Sequence, residues 1–275
     1  MAQCLFPYHT QKNRVHSSQA HFVPVPCGRC PECLKRRTSM WSFRLRKEEE
    51  RSVSSHFVTL TYDADHVPIS KNGFMTLVKS DLQKFFKRLR KSHGKDYCKL
   101  NPIRYYACGE YGSRFKRPHY HIILFNSSED NILASWQAGH VDIGTVSGAS
   151  VGYTLKYVNK GRFTPLHAND DRIPEFALMS KRMGSNYLSR DVVDFHKRNL
   201  DRAYITLEDG VRIPIPRYYK DKMFTESERE QQNRLVKELV LAESPPIEQS
   251  DRERHESRRN AIINFKKKYS NRKDL

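Results

Sequence analysis

Two strand-like segments joined by a short turn constrain the fold more than any other feature of this chain. Residues 103–110 and 119–125 are rich in β-branched and aromatic side chains, and only the eight residues 111–118 separate them. So short a connection is typical of an antiparallel hairpin, because parallel neighbours need a crossover of a dozen or more residues. We therefore expect an antiparallel sheet that contains this hairpin.

The elements around the hairpin predict the fold class. Segment 56–62 has the composition of a strand, and an apolar stripe from Leu82 to Leu89 has helical spacing. A capping box of Ser80 and Gln83 is the expected start of that helix. Three more elements follow: a short helix after Ser128, a strand at 140–143 and a helix at 150–160. This order predicts an α+β domain whose central antiparallel sheet carries helices on one face.

The two ends of the chain differ from this middle part. Residues 1–33 are rich in proline and cysteine and are expected to be irregular, with a basic helix after Pro31. Beyond residue 161 a hairpin is expected over 204–215, and a capping box from Thr225 to Glu228 opens a charged helix. We divide the chain into a cysteine-rich segment with a basic helix (1–50), a core domain (51–190) and a charged helical extension (191–275).

The charge of the chain indicates a polyanionic partner. The 275 residues have a formal net charge of +18, and most of this excess lies before residue 226. Binding to phosphates releases counterions, so a strong positive charge favours nucleic acid. No run of about 18 apolar residues and no signal-peptide core is present, which argues against a membrane-spanning or secreted protein and for a cytosolic one.

His119 and His121 are candidates for metal ligands. They lie two residues apart on the second strand of the hairpin, so both imidazoles point to one face, together with Ile123 and Phe125. Glu110 lies on the first strand, where pairing brings its carboxylate beside them. An isolated His-x-His on a strand is more often structural, but the carboxylate favours a site with open positions for Mg²⁺ or Mn²⁺.

Two tyrosines are candidates for a nucleophile. Tyr153 and Tyr157 are one helical turn apart, and Lys156 and Lys160 have the same spacing, so phenols and lysines lie beside each other. A phenol with an ordinary pKa of about 10 becomes a nucleophile when a metal polarises a phosphate and a cation favours the phenolate. Taken alone, the pair also fits two tyrosines packed at a helix edge.

Cys27, Cys30 and Cys33 are separated by two-residue gaps. In a reducing compartment this spacing favours tetrahedral Zn²⁺ or an iron–sulfur cluster over disulfides. Candidates for a fourth ligand are Cys4, His9, His16 and His21. We favour structural zinc completed by Cys4, with reduced free thiols as the alternative.

Three motifs in this order resemble those of the HUH endonuclease superfamily. They are FVTLTYD at 57–63, RPHYHIILF at 117–125 with Glu110 before it, and YTLKYVNK at 153–160. The segment CGRCPECLKRR at 27–37, the GEYG before the His pair and Cys4 narrow the resemblance to the gokushovirus-like replication initiators of the Microviridae. The resemblance covers most of residues 1–190, with a general likeness around FALMSKRMG at 176–184.

This resemblance implies an HUH endonuclease core with an RRM-like sheet, and a rolling-circle replication initiator in the cytoplasm of a bacterial host. Such a protein cleaves one strand at a single-stranded DNA origin, stays joined to the 5′ phosphate, and works with the host helicase and polymerase. Glu110, His119 and His121 would hold the divalent ion. Tyr153 and Tyr157 would alternate as nucleophiles, and which of them attacks first stays open.

The resemblance also assigns assisting and binding residues. Lys156 or Lys160 would assist the tyrosines. The basic and aromatic residues of the hairpin loop are expected to contact the DNA strand. They are Arg114, Phe115, Lys116 and Arg117, with Tyr111 beside them.

Two other functions explain part of the sequence. A zinc-stabilised protein that binds single-stranded nucleic acid without cleaving it accounts for the charge and the cysteines. It leaves the His pair, Glu110 and the two tyrosines as coincidences. A metal-dependent phosphodiesterase that uses water accounts for the metal residues but ignores the tyrosines.

Overall fold

The computed structural model describes residues 4–11, 22–159, 167–243 and 251–270. The strands are β1 (Tyr8–Gln11), β2 (Phe22–Val25), β3 (Ser55–Tyr62), β4 (Arg104–Tyr111), β5 (Pro118–Phe125), β6 (Gly139–Thr145), β7 (Phe176–Met179), β8 (Tyr204–Thr206) and β9 (Arg212–Pro214). The helices are α1 (Pro31–Glu49), α2 (Lys79–His93), α3 (Lys95–Leu100), α4 (Glu129–Ser135), α5 (Gly148–Asn159), α6 (Arg190–Arg198), α7 (Arg217–Met223), α8 (Glu226–Glu243) and α9 (Asp251–Ser270). In the described part of the chain, no helix is long and apolar enough to span a membrane.

The chain forms two compact units. The larger unit is Trp41–Tyr187, and the smaller unit combines Met1–Met40 with Leu188–Leu275. The prediction of an α+β fold with a cysteine cluster near the amino terminus and helices near the carboxy terminus is confirmed. The three-part division of the chain stays a prediction.

A five-stranded antiparallel sheet is the centre of the larger unit. Its strand order is β6-β3-β5-β4-β7, so β5 lies in the middle between β3 and β4. The expected hairpin of β4 and β5 is present, with Tyr111 paired to Pro118. This register places His119 directly opposite Glu110. On the other side of β5, His121 lies opposite Thr59 of β3.

One face of the sheet packs against α2 and α4. The apolar stripe of α2 is buried as predicted, since each of its four large side chains is at most 1% exposed. These side chains contact Val58 and Leu60 of β3 and Ile122 and Leu124 of β5. Each buried side chain of this size stabilises the fold by about 1.5–3 kcal/mol relative to its exposure to water.

The other face of the sheet is covered as well, which makes the expectation of helices on one face wrong. Leu45 of α1 and Leu155 of α5 pack with Ile123 and Phe125, the apolar residues that share a face with the His pair. The apolar half of this face is therefore closed by helices. Its other half carries the polar side chains described below.

The predicted capping box of Ser80 and Gln83 is also wrong. Helix α2 begins at Lys79, and its N-cap residue is Val78, which has no side-chain cap. The Tyr120 hydroxyl donates to the Val78 carbonyl at 2.9 Å and accepts from the Val78 amide at 3.0 Å. A tertiary contact from β5 therefore sets the start of the helix in place of a local cap.

A buried carboxylate anchors the segment that follows β7. Glu48 of α1 accepts a hydrogen bond from the Gly184 amide at 2.7 Å and ion pairs from Arg51 and Arg104 at 2.7 and 3.1 Å. Strand β7 itself, which the sequence analysis did not assign, pairs with β4 along the sheet edge. The FALMSKRMG segment is thus a structural element of the larger unit.

The smaller unit consists of two short hairpins and several helices. Its amino-terminal part was expected to be irregular, but β1 and β2 pair as antiparallel strands. The expected hairpin around Gly210 is formed by β8 and β9. The capping box that opens α8 is confirmed, because the Thr225 amide donates to the Glu228 carboxylate at 2.7 Å and the Glu228 amide donates to the Thr225 hydroxyl at 3.3 Å.

Candidate active site

Three side chains of the β4–β5 hairpin converge on one point at the polar half of the sheet face. The Nε2 atoms of His119 and His121 lie 2.6 and 2.9 Å from the same oxygen, Oε1 of Glu110. One potential ligand atom from each residue lies within 4.8 Å of the others. Neighbouring ligands of an octahedral Mg²⁺ are about 3 Å apart, given bonds of roughly 2.1 Å. The spacing of these donors therefore fits a divalent ion.

The Glu110 carboxylate is ionised in this setting. Burial alone would raise the pKa of Glu110, but the hydrogen bonds and charges of His119 and His121 outweigh burial and hold this pKa at about 2. The site therefore presents one negative charge and two imidazoles, a donor set suited to Mg²⁺ or Mn²⁺.

Tyr153 of α5 belongs to the same cluster. Its hydroxyl donates to Oε1 of Glu110 at 3.1 Å, and its ring meets the His121 ring edge-on with centroids 4.9 Å apart. The side chain keeps 37% of its surface exposed, so a substrate has access to the phenol. Burial and the charge of Glu110 raise the pKa of Tyr153 above its ordinary value, and the phenol is protonated in this state.

The other predicted members of the tyrosine helix are not placed. Tyr157 and Lys156 belong to α5, but their side chains lie outside the described residues, as does Lys160 entirely. Their roles stay predictions.

Two contacts of the imidazoles were not foreseen. The Nδ1 atom of His119 lies 3.1 Å from the Arg117 carbonyl oxygen, and Nδ1 of His121 lies 3.1 Å from the Thr59 hydroxyl. Phe57 stacks on the His121 ring with centroids 5.6 Å apart and planes 9° apart. Phe57 and Thr59 both belong to the FVTLTYD motif, whose period of two places them on one face.

The hairpin loop next to this cluster is basic and aromatic. Phe115 is 70% exposed, and the Arg114 guanidinium lies 5.0 Å from the centre of its ring. Lys116 is exposed and has a positive φ of 54°. Arg117 differs from them, because its guanidinium donates to the Tyr62 carbonyl at 2.8 and 3.2 Å. Tyr111 is buried, and its hydroxyl donates to the Ile173 carbonyl.

A second group of metal-binding side chains lies in the smaller unit. One ligand atom from each of four cysteines lies within 4.8 Å of the others, and Cys4 is among them. The Cys4 and Cys30 sulfurs are 3.9 Å apart. Sulfurs around a tetrahedral zinc are about 3.8 Å apart, given bonds of roughly 2.3 Å. The four residues are Cys4, Cys27, Cys30 and Cys33.

The backbone around the cysteines is arranged for thiolates. The Arg29 and Cys30 amides donate to the Cys27 sulfur at 3.4 and 3.3 Å, and the Cys27 amide donates to the Cys4 sulfur at 3.2 Å. Burial raises the pKa of Cys33 to about 12, and the neighbouring thiols contribute to the rise. Without a cation, the crowded thiols therefore favour the neutral form. A metal ion would reverse this preference.

Comparisons with known proteins relate the larger unit to one family. The model of the replication-associated protein ORF2 family matches residues 55–162, which contain β3 to β6, α5 and the Glu110–His119–His121 cluster. No solved structure matches the chain significantly.

Three relatives come from small phages. Replication-associated protein VP4 of Bdellovibrio phage phiMH2K is 29% identical over 220 residues, covering 71% of this chain and 66% of that protein. Replication-associated protein ORF2 of Spiroplasma virus 4 is 28% identical, with 78% and 71% covered. Replication-associated protein ORF4 of Chlamydia phage 1 is 26% identical, with 75% and 55% covered. The chain thus spans about two thirds or less of two of these relatives and slightly more of the third.

Proposed function

The chain is related to phage replication-associated proteins, as its motifs predicted, and from this premise we propose that it initiates replication by nicking and rejoining single-stranded DNA. The observation that carries this proposal is the hydrogen bond from Tyr153 to Glu110, whose same oxygen faces both His119 and His121. A potential nucleophile and a potential metal site thus share one atom. This arrangement is what a metal-dependent transfer to tyrosine requires.

Glu110, His119 and His121 would hold Mg²⁺ or Mn²⁺. When bound there, the ion would polarise the scissile phosphate and neutralise part of its charge. The carboxylate supports this role, since it is ionised at any physiological pH.

Tyr153 would be the nucleophile that cleaves the strand. Its oxygen forms a bond to phosphorus, the bond from phosphorus to the 3′ oxygen breaks, and the 5′ phosphate stays on the tyrosine. The phenol loses its proton and the leaving 3′ oxygen gains one, so the step is balanced without a cofactor. The hydrogen bond to Glu110 orients the phenol before attack.

Tyr157 would carry out the second transfer. The phosphotyrosine bond conserves the energy of the phosphodiester, so a second tyrosine can cut the regenerated origin while the first strand is rejoined. Lys156 or Lys160 would favour the phenolate. This division of labour rests on the spacing of the two tyrosines in the helix and on the resemblance.

The hairpin loop would hold the DNA strand next to the cluster. Exposed Phe115 offers a ring for base stacking, and Arg114 and Lys116 offer charges for phosphates. Arg117 was predicted to bind DNA as well, and its bond to the Tyr62 carbonyl gives it a second role in holding the loop. The host helicase and polymerase would use the free 3′ hydroxyl, so the protein would act in the host cell.

The four cysteines would bind one structural zinc. Their sulfur spacing and the amide donors that face them support tetrahedral thiolate ligation. Such a site stabilises the part of the chain that holds it and takes no part in strand transfer.

A covalent adduct with DNA is the direct test of the proposed reaction. Labelled single-stranded oligonucleotides that tile the replicon encoding this chain are incubated with protein and Mn²⁺ and separated on a denaturing gel. We expect a labelled protein band with one of them. The double variant Tyr153→Phe with Tyr157→Phe should lose this band and keep DNA binding, whereas Tyr97→Phe, whose hydroxyl bonds the Asn126 carbonyl, should keep both.

Other outcomes of this experiment would support the alternatives. Cleavage without an adduct would indicate a phosphodiesterase that uses water. Binding without cleavage under any divalent ion would indicate a non-catalytic single-strand-binding protein. An adduct that survives in the double variant would refute the assignment of the nucleophiles.

A further inference from the structure

We propose that Thr59 is a positioning residue of the metal centre, which holds His121 with Nε2 directed at the metal position. This inference rests on the proposed metal site of Glu110, His119 and His121. It gives a function to the FVTLTYD motif, which the proposed reaction does not otherwise use.

Thr59 lies opposite His121 in the β3–β5 register. Its hydroxyl is 3.1 Å from Nδ1 of His121, while Nε2 on the far side of the ring is 2.9 Å from Glu110. Both nitrogens of the imidazole are thus engaged, one by the hydroxyl and the other by the carboxylate of the metal site.

A hydroxyl suits this position because it both donates and accepts hydrogen bonds. When Nε2 carries the proton and donates to Glu110, the Thr59 hydroxyl can donate to Nδ1. When the Nε2 lone pair is needed for a cation, the proton resides on Nδ1 and the hydroxyl accepts it. The same side chain therefore holds the ring in both states without moving.

The stacking of Phe57 cannot replace this contact. The Phe57 and His121 planes are 9° apart, which fixes the plane of the imidazole. A half-turn of the ring about its bond to Cβ preserves that plane but exchanges the nitrogen positions with carbons. The hydroxyl of Thr59 distinguishes the two orientations, because only one places Nδ1 beside it.

The other imidazole is held by main chain. Nδ1 of His119 lies 3.1 Å from the carbonyl oxygen of Arg117, which no side-chain substitution removes. Thr59 is therefore the place where the orientation of a ligand can be tested by changing one hydroxyl. Partners of this kind typically contribute 10-fold to 100-fold to metal affinity, as an order of magnitude.

Thr61 provides a matched control on the same strand. It lies two residues further along β3, on the same face, opposite His119. Within the described residues, its hydroxyl makes no hydrogen bond. Thr59→Val and Thr61→Val therefore make the same chemical change in the same strand, but only the first removes a bond to an imidazole.

The test measures Mn²⁺ affinity of the full chain, with zinc kept on the cysteines, from the electron paramagnetic resonance signal of free Mn²⁺. We expect Thr59→Val to bind Mn²⁺ at least about 10-fold more weakly than wild type. Thr59→Ser, which restores the hydroxyl, and Thr61→Val should both bind like wild type. At saturating Mn²⁺ the nicking rate of Thr59→Val should recover, since the hydroxyl orients a ligand and does not contact the DNA.

The outcomes separate this inference from the proposed function. Wild-type affinity in Thr59→Val, an equal loss in Thr61→Val, or no rescue by Thr59→Ser would overturn the role of Thr59 and leave the metal site standing. Glu110→Gln identifies the site itself. If wild type binds no more Mn²⁺ than Glu110→Gln, the metal centre is refuted and Thr59 loses its role with it.

Discussion

Gly139 tests whether the edge of the sheet is packed as tightly as the structure indicates. It begins β6 with a φ of 142°, a conformation that side chains rarely adopt. A Cβ at this position would lie 2.3 Å from the Thr61 carbonyl oxygen and from the Asp63 amide nitrogen. Both are main-chain atoms, so β3 or β6 must move. We expect Gly139→Ala to lower the free energy of unfolding by about 3 kcal/mol, from overpacking and backbone strain together.

Gly144 on the same strand is the control for this substitution. A Cβ there would meet nothing closer than the Phe57 carbonyl oxygen at 3.9 Å, an ordinary contact. Gly144→Ala should therefore be neutral or stabilise by about 0.5 kcal/mol, because alanine restricts the unfolded chain. Urea unfolding followed by tryptophan fluorescence reports on the larger unit, since both tryptophans, Trp41 and Trp136, belong to it. A Gly139→Ala protein within about 0.5 kcal/mol of wild type would refute the reasoning.

Three further predictions concern the cysteines, a buried histidine and the hairpin loop. Elemental analysis should find about one zinc per chain, and Cys30→Ser should reduce it; a folded wild-type preparation without metal would contradict the site. Burial lowers the pKa of His196, so its contribution to stability is present above the unfolded value of about 6.5 and is lost as pH falls through the folded value. His196→Gln should therefore flatten the loss of melting temperature between about pH 7 and pH 5, and an unchanged slope would speak against it. Phe115→Ala should weaken binding of single-stranded DNA by about 1–3 kcal/mol in an anisotropy titration, and unchanged affinity would rule out stacking on this ring.

The helix starts show how far local sequence determines local structure. Thr225 and Glu228 form the predicted capping box, because nothing competes with the local bonds at this exposed position. Ser80 and Gln83 have the same pattern, but the helix starts elsewhere, since Tyr120 from a distant strand holds the main chain of Val78. A capping pattern therefore predicts a cap only where tertiary contacts leave the helix end free.

The second layer of helices was overlooked although a signal for it was present. Ile123 and Phe125 share a face with His119 and His121, and large apolar residues on a sheet face need a cover. Helices α1 and α5 provide it through Leu45 and Leu155. Because α5 covers the apolar half of this face, it also brings Tyr153 to the polar half, so burial of the core and assembly of the site have the same cause.

The candidate site divides into a part that local sequence predicts and a part that it cannot. Glu110 and His119 face each other because a hairpin with ends at Tyr111 and Pro118 leaves no other register, and the period of two then adds His121. Thr59 reaches His121 only through the pairing of β3 with β5, which lie some sixty residues apart in the chain. Nothing in the spacing of FVTLTYD distinguishes that pairing from one shifted by two residues, which would place Thr61 at His121 with the same face pattern. The contact that orients the ligand thus depends on the whole sheet, and for this reason the comparison of Thr59 with Thr61 also tests the register of β3.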